Sequence, residues 1–320
     1  MKAAFHYKYT GPGGILINEV PDLIPGDKEL LIKVYACTFN RTDCANISAH
    51  PWIMRLFMGL NKPKNPISGT DFAGLVIATG AKVTRFKKGD RVFGFKDSGI
   101  RSHAEQLCID DSMPLESIPD TISFEQAVAS IEGAHYALNF INKVPLKKDQ
   151  LVLVLGGTGA IGSSMIQLLK ILGLHIHATC RGEHFEMVTK LGAEEVFDYI
   201  NTPLSSLKGQ YDYVFDCVGK STFSICKKLL LDKGVYISSE AGPYAQNTYL
   251  SLFTKWSNRK VVFPIPFDPQ RSLTTIREYL AEGSFDPMID RSYRLEEINE
   301  AYSYVSSGEK LGNVLLNPAT

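Results

Sequence analysis

Apolar and polar positions follow two different rhythms along this chain, and the change falls near residue 124. Before it, short apolar runs are cut by glycine, proline and charge. Residues 30–34, 74–78 and 91–94 predict β-strands, with turns at Pro25-Gly26-Asp27 and at Lys87-Lys88-Gly89-Asp90. Residues 52–60 carry large apolar side chains at helical spacing. They predict a helix packed on a core, and a roof over an apolar pocket is the other reading. After residue 124, helix and strand patterns alternate. Strands are predicted at 151–155, 175–180, 196–199, 213–217, 235–239 and 261–263. Helices are predicted over 124–142, 185–191 and 221–231, and from the glycines after residue 155 to Leu172. Gly173 and Gly192 are their C-terminal stops. Two helices (271–282 and 295–307) and a closing strand (313–316) follow. Such alternation predicts right-handed βαβ units in a doubly wound parallel sheet. The chain is therefore read as α/β with two domains. One is β-rich and built from 1–125 with 266–320 returning to it; the other is the doubly wound 126–265. A ligand is expected beyond the carboxyl ends of the parallel strands, reaching a cleft between the domains.

The strand at 151–155 runs into Gly157-x-Gly159-x-x-Gly162, and an uncharged helical stretch follows. This order has a chemical meaning. A tight turn ends a buried strand, and the next helix opens with free N–H groups that hold a pyrophosphate. The first glycine is expected to allow the turn, the second to admit phosphate, and the third to let helix pack on strand. Gly157, Thr158, Gly159, Ala160, Ile161 and Gly162 are the predicted phosphate-side contacts of a dinucleotide. Residues 151–169 hold no charge, but glycines and serines interrupt the run, so a buried strand-turn-helix explains it better than a membrane span. Gly162-Ser163-Ser164 lacks the lysine of a P-loop, which argues against nucleoside triphosphate chemistry.

Composition narrows the partners. At 320 residues, 44% hydrophobic and 21% charged, the chain is an ordinary globular protein. Lysine plus arginine equals aspartate plus glutamate at 34 each, so no global basic field attracts nucleic acid. The first residues enter strand-like sequence with no apolar signal region. Six cysteines, at 37, 44, 108, 180, 217 and 226, form no C-x-x-C pair, and Cys180 and Cys217 fall in predicted strands. This inventory suits a reducing, cytoplasmic location.

Several motifs together resemble the medium-chain dehydrogenase/reductase superfamily, in its zinc-independent quinone-oxidoreductase branch. They are Pro66-Ile67-Ser68-Gly69-Thr70-Asp71-Phe72-Ala73-Gly74, Phe86-Lys87-Lys88-Gly89-Asp90-Arg91-Val92-Phe93-Gly94, the glycine turn, Leu191-Gly192-Ala193, and the ending from Ser307 to Leu316. The resemblance covers essentially the whole chain. It implies a GroES-like first domain, a Rossmann second domain, an oxidoreductase activity and, as is typical of similar proteins, a homodimer contacting near the sixth strand. Zinc enzymes of the superfamily place a cysteine where this chain has Asn40, His-Glu at Thr70-Asp71, and a cysteine near Ala129. The resemblance therefore implies no metal site. It also sets Asn40 beside a nicotinamide and Tyr199 near its ribose and phosphate. Cys217, Val218, Gly219, Ser239, Glu240, Phe263 and Pro264 come at strand ends facing the nicotinamide half.

Coenzyme choice is argued from charge. An acid at the end of the second strand binds a ribose 2′-OH in NAD enzymes. Here Thr179 takes that place and Arg181 follows. A guanidinium pairs with a 2′-phosphate, so NADPH is expected, with Glu183 as an opposing charge. Without a metal to polarise oxygen, hydride transfer needs an electrophilic acceptor, and quinones and α,β-unsaturated carbonyls qualify. Asp43, His135 and Tyr136 are the candidate proton donors, each with a structural alternative. Gly133 stands where the family often has threonine. A carbonyl or alcohol oxidoreductase without zinc, and a non-catalytic NADPH-binding protein, are the other readings.

Overall fold

A computed structural model describes residues 1–238, 240–264 and 268–319. It divides into two compact units, Met1–Glu132 with Pro269–Thr320, and Gly133–Asp268.

The first unit opens with β1 (Lys2–Phe5) and β2 (Leu16–Glu19), an antiparallel pair. The chain continues through β3 (Glu29–Thr38), α1 (Arg41–Ser48), α2 (Arg55–Met58), β4 (Asp71–Thr79), β5 (Arg91–Phe95), β6 (Gln106–Asp110), β7 (Leu115–Ser117) and α3 (Phe124–Ala129). β3 is the spine. It pairs antiparallel with β4 and β6, while β5 joins β4 to β7. Most of β3 is buried, because the sheet is covered on both faces there.

α4 (Glu132–Ile141) starts on the last residue of the first unit's opening segment and runs into the second unit, where β8 (Leu151–Leu155) follows. Next come α5 (Ala160–Ile171), β9 (His175–Cys180), α6 (Phe185–Leu191), β10 (Glu195–Asp198) and β11 (Tyr211–Asp216). α7 (Phe223–Cys226), β12 (Leu230–Ser238), α8 (Gln246–Phe253) and β13 (Lys260–Val262) complete it. The six strands are all parallel, in the order β10-β9-β8-β11-β12-β13. The winding reverses between β8 and β11, and such a reversal opens a crevice at the strands' carboxyl ends.

The tail, α9 (Pro269–Glu282), β14 (Ile289–Arg294), α10 (Ile298–Ser307) and β15 (Asn313–Asn317), returns to the first unit. β15 pairs antiparallel with β3, Leu315 opposite Thr38. Leu295, Ile298, Tyr302, Val305, Val314 and Leu316 join Leu30, Ile32, Phe39 and Phe72 in one core. Each buried aliphatic or aromatic side chain is worth about 1.5–3 kcal/mol. The first unit therefore depends on residues nearly three hundred positions from its start.

Three expectations are corrected. The helix read over 124–142 is two, α3 and α4, because the Ser130 hydroxyl donates to the Ala127 carbonyl (2.6 Å) where the helix breaks. The helix read over 221–231 shrinks to α7, since Leu229 and Leu230 are drawn into the core and β12 starts at Leu230. Residues 52–60 do not pack as a helix. They form a 3-10 turn, Trp52–Met54, and the four-residue α2, neither with a buried residue. Among the described residues no helix is long and apolar enough to cross a membrane.

Candidate active site

The glycine turn is built by β8, β9 and α5. Gly156 takes a positive φ of 83°, and a Cβ there would lie 2.0 Å from Val218 Cγ2. The left-handed residue of the turn is thus Gly156, and not Gly157 as the spacing suggested. Gly157 is confined instead by Ile166 Cδ1 and Val188 Cγ1, which a Cβ would meet at 3.0 and 3.2 Å. Gly162 needs to be glycine for another reason. Its Cβ would stand 2.0 Å from the Gly156 carbonyl oxygen, so helix and turn could not approach. Around Gly159 the nearest obstacle to a Cβ is the same oxygen, 3.8 Å away. No other protein atom lies within 4 Å of that position, which leaves room for a phosphate. α5 begins just after Gly159 with no side-chain cap, leaving its first N–H groups for a ligand. Ala160, Ile161 and Gly162 belong to that first turn, with Thr158 between the glycines.

β9 braces the turn. Gly156 N–H donates to Thr179 Oγ1 (3.1 Å) and Gly157 N–H to the Thr179 carbonyl (2.9 Å). Arg181 follows, its Nε donating to the Tyr199 hydroxyl at 3.1 Å. Glu183 stands 3.8 Å from the guanidinium as an exposed ion pair, which water screens strongly.

The remaining residues expected on the cofactor side come at the ends of β11, β12 and β13. Cys217, Val218 and Gly219 follow β11 and wrap a buried carboxylate that the sequence reading missed. Asp216 accepts from Val218 N–H (3.2 Å), Gly219 N–H (2.8 Å), Ser221 N–H (3.0 Å) and the Tyr236 hydroxyl (3.0 Å). Gly219 has φ 73°, and a Cβ would strike Glu240 Cγ at 2.0 Å. Burial drives the Cys217 thiol well above its ordinary range, which leaves it protonated. Glu240 holds Asn247 Nδ2 through its carbonyl (2.8 Å). Phe263 and Pro264 follow β13. Ser239 lies outside the described residues.

Asn40 and Asp43 belong to a second polar site, in the first unit. Asn40 caps α1. Its Oδ1 accepts from Thr42 and Asp43 N–H (3.1 and 3.4 Å), and Asp43 returns the bond by accepting Asn40 N–H (3.0 Å). Asn40 Nδ2 donates to Thr38 Oγ1 (2.8 Å), and Thr38 donates to Asp71 through its hydroxyl (2.6 Å) and N–H (2.7 Å). His103 Nδ1 meets Ser68 Oγ at 2.8 Å and Nε2 lies 3.1 Å from the Thr38 carbonyl, an arrangement that fits a neutral ring protonated on Nε2. Thr42 Oγ1 donates to Glu132 (2.7 Å). Burial raises Asp43 and Asp71 to about 7 and lowers His103 to about 4. Burial also holds Glu132 well above the carboxylate range. Asp71, His103 and Glu132 were not foreseen; only the acid-bearing Thr70-Asp71 motif hinted at them.

Tyr136 lies on α4 in the other unit. Its neighbour His135 is buried with Nε2 3.3 Å from Asn139 Nδ2. Gly133 also has a reason to differ from threonine, since a Cβ there would sit 2.4 Å from the Ala160 carbonyl oxygen.

Two family descriptions match the sequence, an alcohol dehydrogenase GroES-like domain over residues 26–129 and a zinc-binding dehydrogenase over residues 191–316. A chloroplastic quinone oxidoreductase of Triphysaria versicolor is 29% identical, covering 96% of this chain and 95% of its own length. The chain belongs to the quinone oxidoreductase-like family of medium-chain dehydrogenases/reductases. Within that family, a chloroplastic NADPH-dependent alkenal/one oxidoreductase of Arabidopsis thaliana is 28% identical, over 99% of this chain and 80% of that protein. The fold agrees with the solved quinone oxidoreductase of Coxiella burnetii (TM-score 0.87, 23% identity, 99% of both chains). It agrees also with that of Escherichia coli complexed with NADPH (TM-score 0.84, 22% identity, 99% and 100% of the chains).

Proposed function

We propose that this protein is an NADPH-dependent reductase that passes hydride to a quinone or an α,β-unsaturated carbonyl without using zinc. The observation that carries the coenzyme half is the end of β9. Thr179 holds the glycine turn in place of an acid, and Arg181, just beyond β9, donates from Nε to the Tyr199 hydroxyl. A planar guanidinium there pairs with a 2′-phosphate. The open side of Gly159 and the uncapped start of α5 fit the pyrophosphate. Cys217, Val218, Gly219, Glu240, Phe263 and Pro264 are the residues we assign to the nicotinamide half, with Asp216 holding their loop.

NADPH, when bound, supplies the hydride. The zinc-free half of the proposal rests on donor chemistry. Asn40, Thr70 and Ala129 offer a carboxamide, a hydroxyl and a methyl group where zinc needs thiolate or imidazole. The acceptor must then be electrophilic by itself, and conjugated carbonyls are. The names of the relatives point the same way. We assign Asn40 to orientation beside the nicotinamide, with Thr38, Thr42 and Asp43 fixing its carboxamide. Asp43 is a positioning residue, since its carboxylate is fully buried in the cap of α1. Tyr136 is the side chain we assign to proton delivery.

The test is NADPH oxidation with ortho-quinones, para-quinones, enones and simple aldehydes. Turnover with the first three classes and none with aldehydes is expected. Preference for simple aldehydes would replace the proposal with a carbonyl reductase, and tight NADPH binding without turnover would replace it with a binding protein.

A further inference from the structure

We propose that residues 52–64 form a docking surface for anionic lipid bilayers. This is independent of the reductase assignment. Trp52, Ile53, Leu56, Phe57 and Leu60 are each more than half exposed; the first four are spaced to share one side of the short helical path over 52–58, and Leu60 follows the turn at Gly59. A cluster of large apolar side chains left in water marks an interaction site. The segment is not loosely hung. Arg55 stacks over the Tyr9 ring at 4.8 Å, and the Tyr9 hydroxyl donates to the Gly59 carbonyl. Lys64 N–H donates to the Met58 carbonyl at 2.8 Å. Gly59 turns at φ 121°, with room for no Cβ against the Lys62 carbonyl oxygen. These contacts tie the segment to the first unit, while its large apolar side chains stay exposed.

Charge selects the occupant. From Cys44 to Thr70 there is no aspartate or glutamate, while Arg55, Lys62 and Lys64 all lie in that stretch. Lys62 and Lys64 are exposed, and no carboxylate among the described residues pairs with either. The balanced charge of the whole chain conceals this local excess. Trp, Phe and Leu beside lysines, with no span long enough to cross, match a segment that lies in the headgroup region of a negatively charged membrane.

The full-length protein would be sedimented with vesicles of phosphatidylcholine alone and with vesicles about one-third phosphatidylglycerol. Binding only to the second, at about 0.1 M salt and lost near 1 M, is expected. The paired substitutions Phe57→Ser/Leu60→Ser and Lys62→Glu/Lys64→Glu should each weaken it by about tenfold or more. The chain has two tryptophans, so Trp256→Phe leaves Trp52 as the reporter. Its emission should shift to the blue with the anionic vesicles alone. No sedimentation of the wild type, binding undiminished in the Phe57/Leu60 variant, or an unshifted Trp52 overturns the proposal. A lipid-free dimer that Phe57→Ser/Leu60→Ser converts to monomer also overturns it, by naming a second copy as the occupant.

Discussion

The hydroxyl of Thr179 accepts the N–H of Gly156 at 3.1 Å, so the second strand of the parallel sheet fixes the turn that ends the first. A position used for coenzyme choice in acid-bearing relatives of this fold serves turn geometry here. Thr179→Val keeps the shape and removes the acceptor. Leaving that N–H unpaired costs about 1–3 kcal/mol. Thermal unfolding should show the loss, and NADPH titration should show weaker binding along with it.

Gly159 and Gly162 are predicted to separate binding from folding. Gly162→Ala puts a Cβ against backbone at 2.0 Å and should destabilise the second unit by several kcal/mol, about the range of severe core defects. Gly159→Ala meets nothing closer than 3.8 Å and should leave stability within about 0.5 kcal/mol. It should still weaken NADPH binding by about tenfold or more, because the methyl group occupies the phosphate cradle. Melting curves with and without NADPH distinguish the two.

Arg181→Ala should raise the Michaelis constant for NADPH by about tenfold or more and change that for NADH little. Tyr199→Phe should show the same bias more weakly, since it only releases the guanidinium from its 3.1 Å bond. Equal effects on both coenzymes would remove Arg181 from the 2′-phosphate.

The buried acids predict a pH signature. Asp71 is raised by burial to about 7, against about 3.9 when unfolded. Between those values the folded state holds the extra proton, so this carboxyl's contribution falls as pH rises, by about 1.4 kcal/mol per pH unit within the window. His103 and His6, lowered by burial to about 4, act oppositely: they add stability as pH rises from about 4 to 6.5. The wild-type profile is thus blunted. Asp71→Asn should gain stability relative to wild type as pH rises from 4 to 7, which denaturant titrations across that range would measure. A constant difference would contradict the raised pKa.

The second unit was the more legible in sequence. Strands buried on both faces leave unbroken apolar runs, and LVLVL followed by glycines can form little else. β1 was visible in the strand-like first residues, but β2, β6, β7 and β14 escaped because short or peripheral strands mix apolar and polar residues without a clean period. α1 escaped for the opposite reason. Its Asn40 cap was read as a ligand-position substitute and not as a helix start, although Asn40 and Asp43 have the spacing of a capping box. The polar network around Asp71 joins Thr38, His103 and Glu132 across nearly a hundred residues, and no local pattern encodes such a meeting. Asp216 was visible at the end of YVFD, but its four donors were not.

In the proposed reaction, hydride passes from NADPH to a conjugated acceptor with no metal in the chemistry. It is tested most directly by NADPH oxidation with a quinone and an enone after exhaustive chelation, with metal content measured on the same sample. Undiminished turnover at far below one zinc per chain is predicted. Loss of turnover that added zinc restores would contradict the account.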